Sequence, residues 1–169
     1  NRSPYGLESD GDFGPVNIVL NTMGIYNPTE NQPGTRYSGT YGVARSAPEQ
    51  KPGNTPFSPG TSNHDPLTQL PNRDLFRDRL DLAIAQAKRR KGQIAVMFID
   101  MDGFREVNEN HGQGEGDALL RAAALRLKQC LRRGDTLTRH GSDEFTILLP
   151  DANGRDDACA IAQKILDAF

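Results

Sequence analysis

The chain has 169 residues, enough for one domain of ordinary size or a domain with a long flank. Its formal net charge is −2, so bulk charge gives no reason to expect a polyanion, and no nucleic-acid partner is expected. No apolar run approaches the roughly 18 residues of a membrane span. The two cysteines, Cys130 and Cys159, lack metal-ligand spacing, which fits a reduced, cytoplasmic chain.

Residues 1–64 and 65–169 differ in kind. Of the first 64 residues, 17 are Gly or Pro, a density at which a packed core becomes doubtful. The run from Pro48 to Pro56 reads as linker, and the whole stretch as a flexible or irregular flank of unassigned function. Val16–Leu20 and Tyr37–Val43 have strand character without an identifiable partner. The chain opens at Asn1 with no signal-peptide pattern and reads as a piece of a longer protein, with room upstream for a membrane or sensor segment.

At Asp65 the composition changes. Asp65-Pro66-Leu67-Thr68-Gln69-Leu70-Pro71-Asn72-Arg73 is rich in turn formers, and Asn72 is placed to cap a helix. From Leu75 to Arg90, the residues Phe76, Leu80, Ala83, Ile84 and Ala87 form one apolar stripe at helical spacing. Arg89-Arg90-Lys91 suits its C-terminal end, and Gly92 stops it. Ile94-Ala95-Val96-Met97-Phe98-Ile99 is an unbroken apolar run of strand length, expected to be central and buried on both faces. It ends in Asp100-Met101-Asp102. A short helix carrying Phe104, Val107 and Asn108 follows, then a kinked turn through Gly112, Gly114 and Gly116. Next comes a longer helix from Asp117 to Arg133, with Leu119, Leu120, Ala123, Leu127 and Leu131 inward.

Asp135–Arg139 and Phe145–Leu149 both alternate apolar and polar residues, and the Gly-containing break between them reads as a β-hairpin. A last helix runs from about Asp156 to Phe169. The order α-β-α-α-β-β-α implies an α/β sandwich (α+β), with a mainly antiparallel sheet flanked by helices.

Two adjacent acidic residues, Asp143 and Glu144, open the return strand of the hairpin, where acidic side chains are poor strand formers. Asp100 ends a buried strand, the place where such sheets hold ligands. A carboxylate there needs solvent or a cation. If the hairpin pairs beside the strand of Asp100, three carboxylates converge, and hard oxygen ligands favour Mg²⁺. Such an ion shares its shell with substrate phosphates, which points to nucleotide chemistry. There is no Walker-type loop and no HExxH; Gly112–Gly116 follows a helix and carries an acidic Glu115, unlike a phosphate loop. His64, His111 and His140 show neither ligand nor triad spacing.

The combination of Asp65-Pro66-Leu67-Thr68 and Leu70-Pro71-Asn72-Arg73, Phe98-Ile99-Asp100-Met101-Asp102-Gly103-Phe104, Asn108, Gly116-Asp117, Arg132-Arg133-Gly134-Asp135 and Gly141-Ser142-Asp143-Glu144-Phe145, in that order, resembles the GGDEF domain of the diguanylate cyclase family. The resemblance runs from Asp65 to Phe169. It implies a palm-like fold and a reaction that joins two GTP into cyclic di-GMP with loss of two pyrophosphates. It also implies that Asp100, the Met101 carbonyl and Asp143 hold Mg²⁺, with Mn²⁺ as an alternative. Glu144 would stand near the metal or help deprotonate the 3′-hydroxyl. Asn108 and Asp117 match the pair that reads guanine, Arg105 stands where the family often has a phosphate-contacting lysine, and Gly141 and Ser142 line the nucleotide turn. Arg132 and Asp135 match an inhibitory site for the product.

The resemblance further implies a homodimer, because two GTP must be brought face to face, and a phosphodiesterase domain as a downstream neighbour in the parent protein. Two departures stand out. Ser142 replaces the second glycine of the signature, where a side chain would crowd the nucleotide and, if the turn needs positive φ, strain the backbone. The chain also stops at Phe169, short of a final strand and a helix with basic triphosphate contacts, so the piece is expected to be inactive by itself and its central strand to keep an open edge. The rival reading is a catalytically weak or inactive GGDEF domain that binds GTP or cyclic di-GMP and regulates a neighbour.

Overall fold

The computed structural model describes residues 18–26 and 63–169. In chain order these form β1 (Ile18–Tyr26), α1 (Arg73–Arg90), β2 (Gln93–Met101), α2 (Phe104–His111), α3 (Gln113–Cys130), β3 (Thr136–Arg139), β4 (Phe145–Ala152) and α4 (Arg155–Ala168). Among the described residues the strands make one antiparallel sheet in the order β1-β2-β4-β3. The α+β sandwich expected from the element order is therefore present. The stretches 37–43 and 48–56, read above as strand and linker, lie outside the described residues.

Helices cover both faces of the sheet. On one face Met97, Ile99, Ile147 and Leu149 pack with Leu120 and Leu127 of α3 and Ile161 and Ile165 of α4. On the other, Ile94 and Leu148 meet Phe76, Ala83 and Ala87 of α1. This sorting follows from the strand period of two, which sends odd and even residues of β2 to opposite helical layers.

Four local expectations are corrected. The segment around Val16–Leu20 does have a partner: β1 pairs with β2 from Ile18↔Met101 to Tyr26↔Ile94, so the edge expected to be open is paired. Helix α1 is capped at its start by Asn72, whose Oδ1 accepts from the N–H groups of Asp74 and Leu75, both at 3.1 Å. At its end the left-handed residue is Lys91 (φ 54°) rather than Gly92. That costs roughly 1 kcal/mol of backbone strain, offset by cations in the last turn of the helix. Strand β2 is central but not buried on both faces throughout, because Phe98 is 46% exposed; α1 covers only the Ile94 half of that face. Finally, only Gly112 (φ 88°) breaks the chain between α2 and α3, while Gly114 and Gly116 already belong to α3. Gly116 is needed in that helix because its bare Cα lets the Asn108 side chain lie against it; a Cβ there would overlap Asn108 Oδ1.

Candidate active site

The β2–β4 register decides where the acidic residues meet. Ile99 stands opposite Phe145, the last pair in register at that end. Asp100, the next residue of β2 and still paired with β1, therefore stands beside the Asp143-Glu144 turn, since neighbouring strands lie about 5 Å apart. Asp100 is half-buried and its Oδ1 accepts from the Met101 N–H at 3.0 Å. Asp143 is half-buried and Glu144 exposed. Among the described residues no three His, Cys, Asp or Glu side chains form a ready-made metal cage. The donor set still fits Mg²⁺ or Mn²⁺, which bind through one or two carboxylates and take remaining oxygens from substrate phosphate and water.

The turn itself is closed by the His140 N–H donating to the Glu144 carbonyl at 2.9 Å. Ser142 is not among the residues with positive φ, so serine strains no backbone here, and the strain anticipated for it is absent. Its hydroxyl instead donates to Asp143 Oδ1 at 2.5 Å. The side chain that departs from the signature thus ties down a carboxylate oxygen of the candidate metal ligand. At Gly141 a Cβ would stand 3.3 Å from Glu144 Oε2, so this position leaves little room beside the second acidic group.

A second corner forms where α2 meets α3. Asn108 Oδ1 is buried against Gly116 and finds no hydrogen-bond partner among the described residues. Asp117, half-buried, is the next residue of α3. An orphaned acceptor beside a carboxylate is costly for folding alone, and it matches the N–H donors on the guanine edge. Arg105, expected at phosphate, is exposed and paired with Glu109 at 2.8 Å.

Arg132 and Asp135 meet through the backbone. The Arg132 N–H donates to Asp135 Oδ2 at 2.8 Å, and the Asp135 N–H returns to the Arg132 carbonyl at 3.0 Å. Burial pushes the Asp135 carboxyl up, partly offset by that Arg132 N–H. The Arg132 guanidinium turns instead to Asp157 of α4, with bonds of 2.6 and 3.2 Å.

Sequence reasoning missed Arg139. Its guanidinium takes both oxygens of Asp65 at 3.0 and 3.1 Å and also donates to the Ser142 carbonyl at 2.7 Å. Asp65 further accepts from the Thr68 N–H at 2.8 Å and hydroxyl at 2.6 Å. Burial alone would raise the Asp65 pKa, but these bonds with Thr68 and Arg139 bring it below the ordinary value. The Asp65–Thr68 turn was legible in the sequence as a side chain closing on its own backbone. Its clamp on the signature turn was not, because the partners are 74 residues apart.

Comparison with known proteins identifies the family and the fold. The family described as diguanylate cyclase, GGDEF domain, matches residues 62–169. The bifunctional diguanylate cyclase/cyclic di-GMP phosphodiesterase MucR of Pseudomonas aeruginosa is 46% identical over 103 residues, covering 61% of this chain and 15% of MucR. Among solved structures, a truncated TpbB (YfiN) from the same species comprising only the GGDEF domain superposes with a TM-score of 0.61 at 42% identity, covering 62% of this chain and 61% of that one. The GGDEF domain of DgcB from Caulobacter crescentus, in complex with c-di-GMP, gives a TM-score of 0.58 at 28% identity, with 62% and 61% covered. The chain thus spans a minor part of its curated relative and somewhat less than two thirds of the solved domains.

Proposed function

Because the chain belongs to the GGDEF family of diguanylate cyclases, we propose that it supplies one half-site of an enzyme that condenses two GTP into cyclic di-GMP. The observation that carries this reading is the β2–β4 register, which delivers Asp100 to the Asp143-Glu144 turn while the α2–α3 corner keeps an unpartnered Asn108 acceptor beside Asp117. One corner suits triphosphate and cation; the other suits a guanine edge.

In this reading Asn108 and Asp117 accept from the guanine N–H groups and fix the base. Asp100, the Met101 carbonyl and Asp143 would hold Mg²⁺ or Mn²⁺, which when bound neutralises triphosphate charge. Gly141 leaves the turn open beside the nucleotide, and Glu144 stands at the metal or accepts the 3′-hydroxyl proton. Each 3′-oxygen forms a bond to the α-phosphorus of the other GTP as the bond to pyrophosphate breaks, so a second copy of the domain must face the first. The Arg132–Asp135 corner would bind the product as an inhibitor. A downstream phosphodiesterase domain, as the name of MucR suggests for that relative, fits as a neighbour in the parent protein. A reaction that consumes GTP suits the cytoplasm, the compartment of this reading; among the described residues no helix is long and apolar enough to cross a membrane.

One observation favours a second reading, a weak cyclase or a binding module. The Ser142 hydroxyl occupies an oxygen of Asp143, which the family's glycine would leave free. The two readings separate in an assay of the full-length protein with GTP and Mg²⁺, scored as cyclic di-GMP formed. We expect slow synthesis from GTP, none from ATP, and a rate gain of up to about 100-fold for Ser142→Gly, the scale attached to a misplacement of about 1 Å. Brisk synthesis with no gain from glycine shows that the turn tolerates serine. No product from either protein, with GTP still bound, leaves the binding module.

A further inference from the structure

We infer that Asp157 is an internal competitor for the ligand of the Arg132–Asp135 corner, and so sets the affinity of that corner for a cyclic dinucleotide. This rests on the reading that the corner binds the product.

Arginine grips carboxylate and phosphodiester with the same planar fork. Both terminal nitrogens of Arg132 are committed to Asp157, at 3.2 and 2.6 Å. A phosphate that takes the same two donors must first displace this carboxylate. The corner is otherwise prepared for an anion: Arg79, Lys128, Arg132 and Arg133 line one cleft of about 390 Å³, and Asp135 lines it with them. Asp157 removes the charge of one of these cations without itself lining the cleft.

The exchange is inexpensive on both sides. The Arg132 side chain is 59% exposed, so it swings between partners without leaving water. Asp157 is only 15% exposed and already accepts from the Asn153 N–H at 3.3 Å. It sits in the first turn of α4, where free N–H groups favour a carboxylate. Once released, it is not left without donors. The hydrogen bonds from Arg132 hold the Asp157 carboxyl below the ordinary range, so it is charged and competing at neutral pH.

The test is calorimetric titration of the full-length protein with cyclic di-GMP, as wild type, Asp157→Asn and Arg132→Ala, each checked for an unchanged far-ultraviolet spectrum. Asparagine keeps the shape of the side chain and removes its charge. Since an exposed ion pair is a weak competitor, Asp157→Asn should bind about 3- to 5-fold tighter at low salt, and the gap should narrow as salt is added. Arg132→Ala should lose most of the binding. If Arg132→Ala loses binding while Asp157→Asn binds no tighter than wild type, the competitor is refuted and the product site stands. If Arg132→Ala binds like wild type, or no protein binds, the product-site reading fails and takes this inference with it.

Discussion

Two arginine–aspartate pairs bracket β3, alike in chemistry and unlike in setting. At its far end Arg139 meets Asp65 with side chains 11% and 16% exposed, inside a net that adds Thr68 and the Ser142 carbonyl. At its near end Arg132 meets Asp157, with the Arg132 side chain 59% exposed and its guanidinium turned to that one carboxylate among the described residues. Burial of the arginine makes the difference, since the two aspartates are equally covered. A charge in the first pair has no water to return to if its partner leaves, so the pair behaves as architecture and pins the signature turn to the opening turn of the domain. In the second pair the Arg132 charge is rehydrated at once, and Asp157, though only 15% exposed, keeps the Asn153 N–H, so that pair is free to change partners.

The largest effect that would break this contrast is expected at Arg139. Arg139→Ala strands the Asp65 carboxylate in a partly closed site and should lower unfolding stability by roughly 3 kcal/mol, the scale of a broken buried pair. It should also depress any cyclase activity by loosening Ser142. Urea denaturation followed by circular dichroism measures the first; an unchanged midpoint would mean that the clamp is decorative.

Acid should act next, and at the same end of β3. Asp65 has a lowered pKa, so its contribution is complete above the ordinary value of 3.8 and fades as pH falls through the lowered one. His140, packed edge-on against Phe76 at 5.2 Å, has its pKa lowered mainly by burial and further by Arg73, with Glu144 opposing. The unfolded chain therefore takes up this proton first, and stability begins to drop as pH falls below about 6.5. Thermal melts between pH 8 and 4 should show a decline starting near pH 6.5 that is missing in His140→Phe. The smallest effect is predicted for Arg132→Ala, whose melting midpoint should match wild type. A clear loss there would erase the distinction between the two pairs.

Much of this was legible beforehand, and the boundary is physical. The stripe from Phe76 to Ala87, the run Ile94–Ile99 and the hairpin were readable because their apolar periodicity is local. The Asn72 cap was readable for the same reason. The acidic ends of β2 and of the turn were readable as a candidate site, since carboxylates seldom end a buried strand without a task. What escaped was tertiary. Nothing near Ile18–Tyr26 announces β2 as its partner. Gly116 looked like a breaker because its reason for being glycine, the Asn108 side chain, comes from another helix. Phe98 was expected to be buried because its composition does not say how far α1 reaches. Asp157 drew no reading from the sequence, because its partner Arg132 lies 25 residues away.

The central claim is that the α2–α3 corner reads guanine for the chemistry at the Asp143-Glu144 turn. Its most direct test is equilibrium binding of GTP and ATP, each with Mg²⁺, to wild type and Asp117→Asn. The substitution replaces an acceptor by a donor facing a donor, so GTP affinity should fall on the order of tenfold or more while ATP affinity barely moves. Equal losses for the two nucleotides, or a wild type that does not prefer GTP, would contradict the account.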